Sequence, residues 1–133
     1  MKRNHHILVA LVMLFIWGLF YTAGIPSNYY MTWDTTSLIL LTFLAVFAIV
    51  PFVGGVTLVL LPGPFLRNSL WIAFYASVIP LLMDFFLVGI ISGKGFAFFI
   101  SHWFLTLGYI YVWLIIPLVG LSLQKYQARL KTV

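Results

Sequence analysis

Asp84 is the residue in this sequence that is best placed to do chemistry. It is one of only two acidic residues, and it lies in a long apolar run from Leu70 to Ile91. If that run spans a bilayer, the carboxylate costs about 2.5–3.5 kcal/mol on insertion scales. A carboxylate in that position needs a hydrogen-bonding partner, contact with water, or a proton.

Three further polar residues have a spacing that places them near Asp84. His102, Thr106 and Tyr109 follow i, i+4, i+7 spacing, which puts them on one face of a helix. Asp84 lies roughly 12 Å from the predicted outer end of its helix, and the same depth on the next helix falls near Thr106 and Tyr109. A short turn joins the two helices, so they are antiparallel neighbours. We therefore expect Asp84 to accept a hydrogen bond from Tyr109 or Thr106, or to pair with His102.

Three roles for Asp84 are compatible with this position. In the leading interpretation it is a clamp, meaning a side chain that takes hydrogen bonds from neighbouring helices and fixes how they pack. In the second, burial keeps it partly protonated, so that it serves as a proton or cation site. In the third, it pairs within the membrane with a charged residue of a partner subunit.

The composition indicates that the elements positioning these residues are membrane helices. Hydrophobic residues make up 64% of the chain and charged residues 7%, whereas soluble domains carry about 25% charged residues. A bilayer span needs about 20 apolar residues. We predict an all-α, four-helix transmembrane bundle in a single domain over residues 1–133, embedded in the lipid bilayer. Its spans lie near residues 7–23, 37–61, 69–92 and 98–123.

The lysine and arginine residues predict the orientation of the four spans. An even number of spans puts both termini on one side of the membrane, together with the loop between the second and third spans. Six basic residues lie on that side against Lys94 alone on the other, and cytoplasmic loops are rich in Lys and Arg. We therefore place both termini in the cytoplasm, in a bacterial inner membrane or an equivalent membrane. The six residues are Lys2, Arg3, Arg67, Lys125, Arg129 and Lys131.

The first apolar segment has an alternative interpretation. Lys2 and Arg3 precede an apolar core, as in a cleaved signal peptide. The segment is long for a signal peptide, and Pro26 disfavours processing after the small residues that end at Gly24. We expect the segment to be retained as a span. Its loss would leave three spans, with the termini on opposite sides. Tyr29, just beyond it, is expected in the aromatic belt at the outer membrane surface.

Proline residues interrupt the second, third and fourth predicted spans. Pro51, Pro80 and Pro117 each remove a backbone donor, so each helix is expected to bend or to need help from a neighbour. Two outcomes remain open. The three bends form a curved but static bundle, or they act as helix hinges in a moving one.

The sequence contains no residue pattern that supports another kind of chemistry. The chain has no cysteine, no phosphate-binding glycine loop, no serine–histidine–aspartate set and no paired carboxylates. His5 and His6 are predicted on the opposite side of the membrane from His102, so a metal or haem site within one chain is not expected. The net charge of +5 lies mostly at the chain ends rather than on a basic face. We therefore expect no enzyme activity, no metal, no cofactor and no nucleic-acid partner.

Two stretches resemble a group of uncharacterised small four-span bacterial membrane proteins. They are Ile79-Pro80-Leu81-Leu82-Met83-Asp84-Phe85-Phe86-Leu87 and Trp113-Leu114-Ile115-Ile116-Pro117-Leu118-Val119-Gly120-Leu121. In that group a helix running from a proline to an aspartate precedes an aromatic final helix. The resemblance covers the C-terminal half of the chain. It implies four helices and matches the group's aspartate to Asp84, but it implies no mechanism.

Two functions are compatible with these observations. The first is a non-enzymatic subunit or accessory component of a membrane assembly, packed against a larger complex or its own copies, with Asp84 as the clamp. The second is a homo-oligomeric proton- or cation-coupled transporter or channel, with Asp84 as the titrating site. The surroundings of Asp84 distinguish them, because a clamp needs fixed donors on both oxygens whereas a carrier needs access to water.

Overall fold

Four long helices form most of the molecule. The computed structural model describes residues 1–130, and no strand occurs in that range. All four helices are long and apolar enough to cross a membrane. This confirms the predicted all-α class with four candidate membrane spans. The helices are α1 (Arg3–Gly24), α2 (Thr35–Leu60), α3 (Phe65–Ile91) and α4 (Trp103–Leu130).

The ends of the helices differ from the ends of the apolar runs. α1 begins at Arg3 rather than Ile7, and α4 continues to Leu130 rather than ending at Leu123. A helix satisfies its own backbone hydrogen bonds in water as well as in lipid, so polar residues extend it past the apolar part. Lys131, one of the predicted inner-side charges, lies outside the described residues.

The fourth predicted span is divided into two helical pieces. A one-turn helix, Phe98–Ser101, precedes α4, and the backbone breaks between them at His102, which has φ −112° and ψ 48°. The carbonyl of His102 accepts hydrogen bonds from the amides of Leu105 and Thr106, so the break leads directly into the first turn of α4.

Asp34 determines where α2 begins. It is the residue before the first helical turn, and its Oδ1 accepts a hydrogen bond from the Ser37 amide at 2.9 Å. The Ser37 hydroxyl donates to Oδ2 at 2.8 Å. Both hydrogen bonds lower the pKa of Asp34 below its usual value, and the bond from the Ser37 amide has the larger effect. The second acidic residue of the chain is therefore a helix cap outside the spans.

Two helices contain π-helical segments near their prolines. In α2 the segment Ala45–Ile49 ends two residues before Pro51, and in α3 the segment Phe85–Ile91 begins five residues after Pro80. Widening the helix is one way to accommodate lost backbone hydrogen bonds. Pro117 lies inside α4 with a helical backbone on both sides. Whether the three prolines act as hinges stays a prediction.

The packing of the helices leaves a gap on one side of the bundle. α3 and α4 make the most extensive contact, α1 packs mainly on α3, and α2 packs mainly on α4. Within residues 1–130, α1 and α2 make no extensive backbone contact with each other. The buried core nearer the chain termini consists of Val9, Met13, Leu58, Leu61, Ile72, Ala73, Val112 and Ile116.

Candidate functional site

Asp84 is held inside the bundle by three hydrogen-bond donors. Its side chain is 2% exposed, and it lies at the end of the α-helical part of α3. The indole Nε1 of Trp17, in α1, donates to Oδ1 at 2.6 Å. The hydroxyl of Tyr29 also donates to Oδ1, and the hydroxyl of Tyr109, in α4, donates to Oδ2. One carboxylate therefore joins α1, α3, α4 and the segment that follows α1.

Tyr29 reaches Asp84 because the chain folds back after α1. Asn28, Tyr29 and Tyr30 have φ values of 49°, 56° and 67°, a left-handed conformation that costs about 1–3 kcal/mol per residue when it is not glycine. The Tyr29 amide donates to the carbonyl of Gly24 at 2.8 Å. The Tyr30 hydroxyl donates to the carbonyl of Phe20 at 2.7 Å. The bonds from Tyr29 and Tyr30 back to α1 therefore hold this left-handed segment in place.

Gly24 is required for this reversal. A Cβ atom at Gly24 would lie 2.7 Å from the Tyr30 ring and 2.8 Å from the Tyr29 ring. Both rings belong to the buried cluster of the reversed segment, so they have little room to move. We infer that Gly24 allows the two tyrosines to lie against the end of α1, and that this contact positions the Tyr29 hydroxyl.

The protonation of Tyr29 favours its role as a donor. Burial, followed by the nearby Asp84 carboxyl, raises the pKa of Tyr29 above the usual tyrosine value. The pKa of Tyr30 is raised by the same two causes in the same order. Both hydroxyls therefore keep their protons at physiological pH. An indole N–H can only donate, so Trp17 requires Asp84 to be an acceptor at Oδ1.

The structure brings one of the three predicted partners to Asp84. Tyr109 donates to it, whereas the Thr106 hydroxyl donates to the carbonyl of Phe99 at 2.9 Å. The His102 ring stacks on Phe98 with 4.8 Å between centroids and does not contact Asp84. The backbone break at His102 accounts for the histidine, because the i, i+4, i+7 pattern assumes one continuous helix, whereas Thr106 and Tyr109 both lie within α4.

His102 is fully buried and only partly hydrogen-bonded. Its Nδ1 lies 2.9 Å from the Ser101 hydroxyl, and its Nε2 is buried with no partner among the described residues. Such a group is costly, because a buried polar atom loses its bond to water. The neighbouring Tyr29 ring lies 5.9 Å from the imidazole, centroid to centroid.

Sequence reasoning missed Trp17 and Tyr29. From the sequence, Tyr29 is expected in the aromatic belt at the outer surface, and no pattern singles out Trp17. The turn-forming residues after Gly24 were the available signal, because a reversal there returns the next side chains to the bundle. Trp17 is one of the few polar side chains in the first predicted span, which was the other available signal.

A cavity of about 180 Å³ adjoins the Asp84 cluster. It lies in the gap between α1 and α2, over a floor formed by α3 and α4. Its wall is almost entirely apolar, and Asp84 and Tyr109 are among the few polar residues that reach it. Residues on its wall include Met13, Ile16, Trp17, Phe20, Val46, Val50, Pro80, Phe104, Gly108 and Val112.

Residues 1–130 contain no group of three or more His, Cys, Asp or Glu side chains that could hold a metal ion. No protein-family model, no curated protein and no solved structure matches this chain. The resemblance to small four-span bacterial proteins therefore stays a prediction, and function has to be argued from the site alone.

Proposed function

We propose that this chain is a small non-enzymatic component of a membrane assembly, in which Asp84 is an interhelical clamp. The observation that supports this is the set of fixed donors on both carboxylate oxygens. Trp17, Tyr29 and Tyr109 come from three separate parts of the chain and meet on one side chain. Hydrogen bonds between helices are a main source of packing specificity in lipid, where apolar contact alone gives little drive.

The same geometry argues against Asp84 as a freely exchanging ion site. A carrier residue must exchange its partner for water or an ion, and Asp84 is 2% exposed with both oxygens already engaged. The adjoining cavity has an almost wholly apolar wall, which does not hold water well. As part of the proposal, both termini lie in the cytoplasm and the membrane is a bacterial inner membrane, with a partner complex or further copies of the chain beside it.

A second candidate function is a homo-oligomeric proton- or cation-coupled transporter or channel. The observation that favours it is the contact between the cavity and Asp84, because an intramembrane carboxylate beside a cavity is typical of transport sites. The cost is that each transport cycle must break hydrogen bonds from Trp17 or the two tyrosines.

Replacing Asp84 by asparagine distinguishes the two functions. An amide has one acceptor oxygen and one donor nitrogen, so at least one of the three donors would lose its partner, at a cost of about 1–3 kcal/mol. We expect Asp84→Asn to melt well below the native protein in detergent. We expect neither protein to move protons or monovalent cations in proteoliposomes.

The matched control is Asp34→Asn, which changes the other acidic residue. Asparagine is as good a helix N-cap as aspartate, so this variant should melt close to the native protein. The clamp proposal would be wrong if Asp84→Asn melted like Asp34→Asn and abolished a pH-dependent flux that the native protein shows. That result would establish Asp84 as a transport site.

A further inference from the structure

The cavity beside Asp84 lies on one flank of the helix bundle. α1 packs mainly on α3 and α2 mainly on α4, so the gap that holds the cavity lies on the side of the bundle where α1 and α2 face each other. The cavity is partly open rather than enclosed. In a bundle that spans a bilayer this flank contacts acyl chains, so we expect a ligand to enter the cavity from the membrane.

The size and the apolar wall of the cavity determine which molecules fit in it. An apolar cavity of about 150 Å³ in another protein stays dry and binds benzene, and the volume here is about 180 Å³. Gly108, on the α4 side of the wall, has nothing within 4 Å of the position of its missing Cβ atom. The occupant therefore has an apolar body about the size of one aromatic ring with a short substituent.

The polar part of the wall adds a chemical requirement. The three groups that bind Asp84 are neutral, and a buried carboxylate is normally paired with a positive charge. The wall also carries aromatic rings, whose faces attract cations. These are Trp17, Phe20, Tyr29, Tyr30, Phe104 and Tyr109.

We propose that the cavity binds a lipid-soluble ammonium ion, with its positive charge between Asp84 and the aromatic rings and its apolar body in the space beside Gly108. This goes beyond the clamp function, which needs no ligand. The clamp prepares the site, because its neutral donors hold the carboxyl group at the cavity wall and supply no positive charge of their own. Binding supplies the missing positive charge without breaking the clamp.

The test uses benzyltrimethylammonium as the probe and neopentylbenzene, its uncharged isostere, as the competitor. Saturable binding of radiolabelled probe to the purified protein in detergent is measured by scintillation proximity. We expect the unlabelled cation to compete at concentrations at least about tenfold lower than the isostere. Equal competition by the isostere, or no saturable binding at all, would show that the cavity does not select a cation.

Two glycine variants locate the site. Gly108→Leu fills the cavity and should weaken probe binding at least about tenfold, whereas Gly18→Leu introduces the same side chain outside the wall and should bind like the native protein. A Cβ atom at either position meets nothing within 4 Å, so both variants should fold. If Gly108→Leu does not fold, Ala45→Leu on the α2 side of the wall replaces it.

If the cavity-filling variant bound the probe as tightly as the native protein does, the proposal would be overturned. Gly18 directly follows Trp17 and Gly108 directly precedes Tyr109, so the melting temperature of each variant is measured as well, and a variant that melts like the native protein keeps the clamp intact. A failure of the cavity proposal is therefore distinguishable from a failure of the clamp proposal, which appears in the melting and flux of Asp84→Asn.

Discussion

The burial of Asp84 is tolerated because its side chain accepts hydrogen bonds from groups that can act there only as donors. Trp17 cannot accept a hydrogen bond, and burial keeps the Tyr29 hydroxyl protonated. Interhelical hydrogen bonds in membranes contribute about 0.6 kcal/mol on average and up to about 1.7 kcal/mol. The larger penalty comes from removing one partner, because the group left behind stays buried without a bond.

Tyr109→Phe isolates one of these bonds. The phenyl ring fills the same space, but Oδ2 of Asp84 loses the donor that it has in α4. We expect the free energy of unfolding to fall by about 1–2 kcal/mol. The measurement is denaturant or thermal unfolding in a defined detergent.

Tyr111→Phe is the matched control, because its side chain is 38% exposed and lies two residues away on the same helix. It removes a hydroxyl that takes no part in the Asp84 cluster. Equal stability of Tyr109→Phe and Tyr111→Phe would contradict the role assigned to Oδ2.

At the scale of helices, the sequence predicts more of the fold than of the site. Four apolar runs of about 20 residues identify four helices, because an unpaired backbone is too costly in lipid. The partnership of Asp84 with Tyr109 follows from equal depth in two antiparallel helices. The contact with Tyr29 does not, because it depends on three left-handed residues after α1 that no periodic pattern encodes.

Because a periodic pattern encodes no irregular backbone, it also leads to errors in the predicted helix register. A periodic pattern assumes regular helix, and it cannot locate the break at His102 or the π-helical segments in α2 and α3. Each of these irregularities rotates the side chains that follow it. The expected approach of His102 to Asp84 failed for this reason, even though the two helices were correctly paired.

Gly120 controls the approach of α4 to the beginning of α3. A Cβ atom there would lie 2.5 Å from the Ser69 hydroxyl oxygen and 3.0 Å from the backbone carbonyl of Phe65. Small residues allow such close helix packing in membranes. We expect Gly120→Ala to cost about 1–3 kcal/mol by overpacking, measured by unfolding in detergent.

Gly108→Ala is the control for that measurement. It makes the same change in the same helix, but its Cβ atom meets nothing within 4 Å. Alanine is the better helix former, so this variant should be as stable as the native protein or slightly more stable. If both alanine variants were equally stable, the tight contact at Gly120 would not contribute to the packing of α3 on α4.

At the scale of the whole molecule, side-chain contacts bring three segments to one end of the bundle. Near the N-terminus, the Nδ1 atom of His6 lies 3.2 Å from the Tyr75 hydroxyl of α3. Near the other terminus, the Gln124 side chain accepts a hydrogen bond from the Leu66 amide at 3.2 Å, beside Arg67. Lys94 lies at the opposite end, in the turn after α3. The basic residues of that shared end therefore favour a single orientation in the membrane.

The surface between the two ends is suited to lipid. Large apolar side chains are exposed along its length, among them Phe15, Phe52 and Ile100, which are 67%, 72% and 81% exposed. Exposed apolar area on this scale marks a surface that contacts a membrane or a partner. The distribution of charge then distinguishes the two ends of this surface.

Single-cysteine labelling tests the orientation directly, because the chain has no cysteine of its own. Ser92→Cys, in the turn after α3, should react with a membrane-impermeant maleimide in intact bacterial cells whose outer membrane has been made permeable. Gln127→Cys, near the end of α4, should react only after the inner membrane is opened. Both side chains are exposed, so failure to react reports the membrane rather than burial. The reverse pattern would place the termini outside and contradict the orientation, since six basic residues would then lie on the outer side against one within.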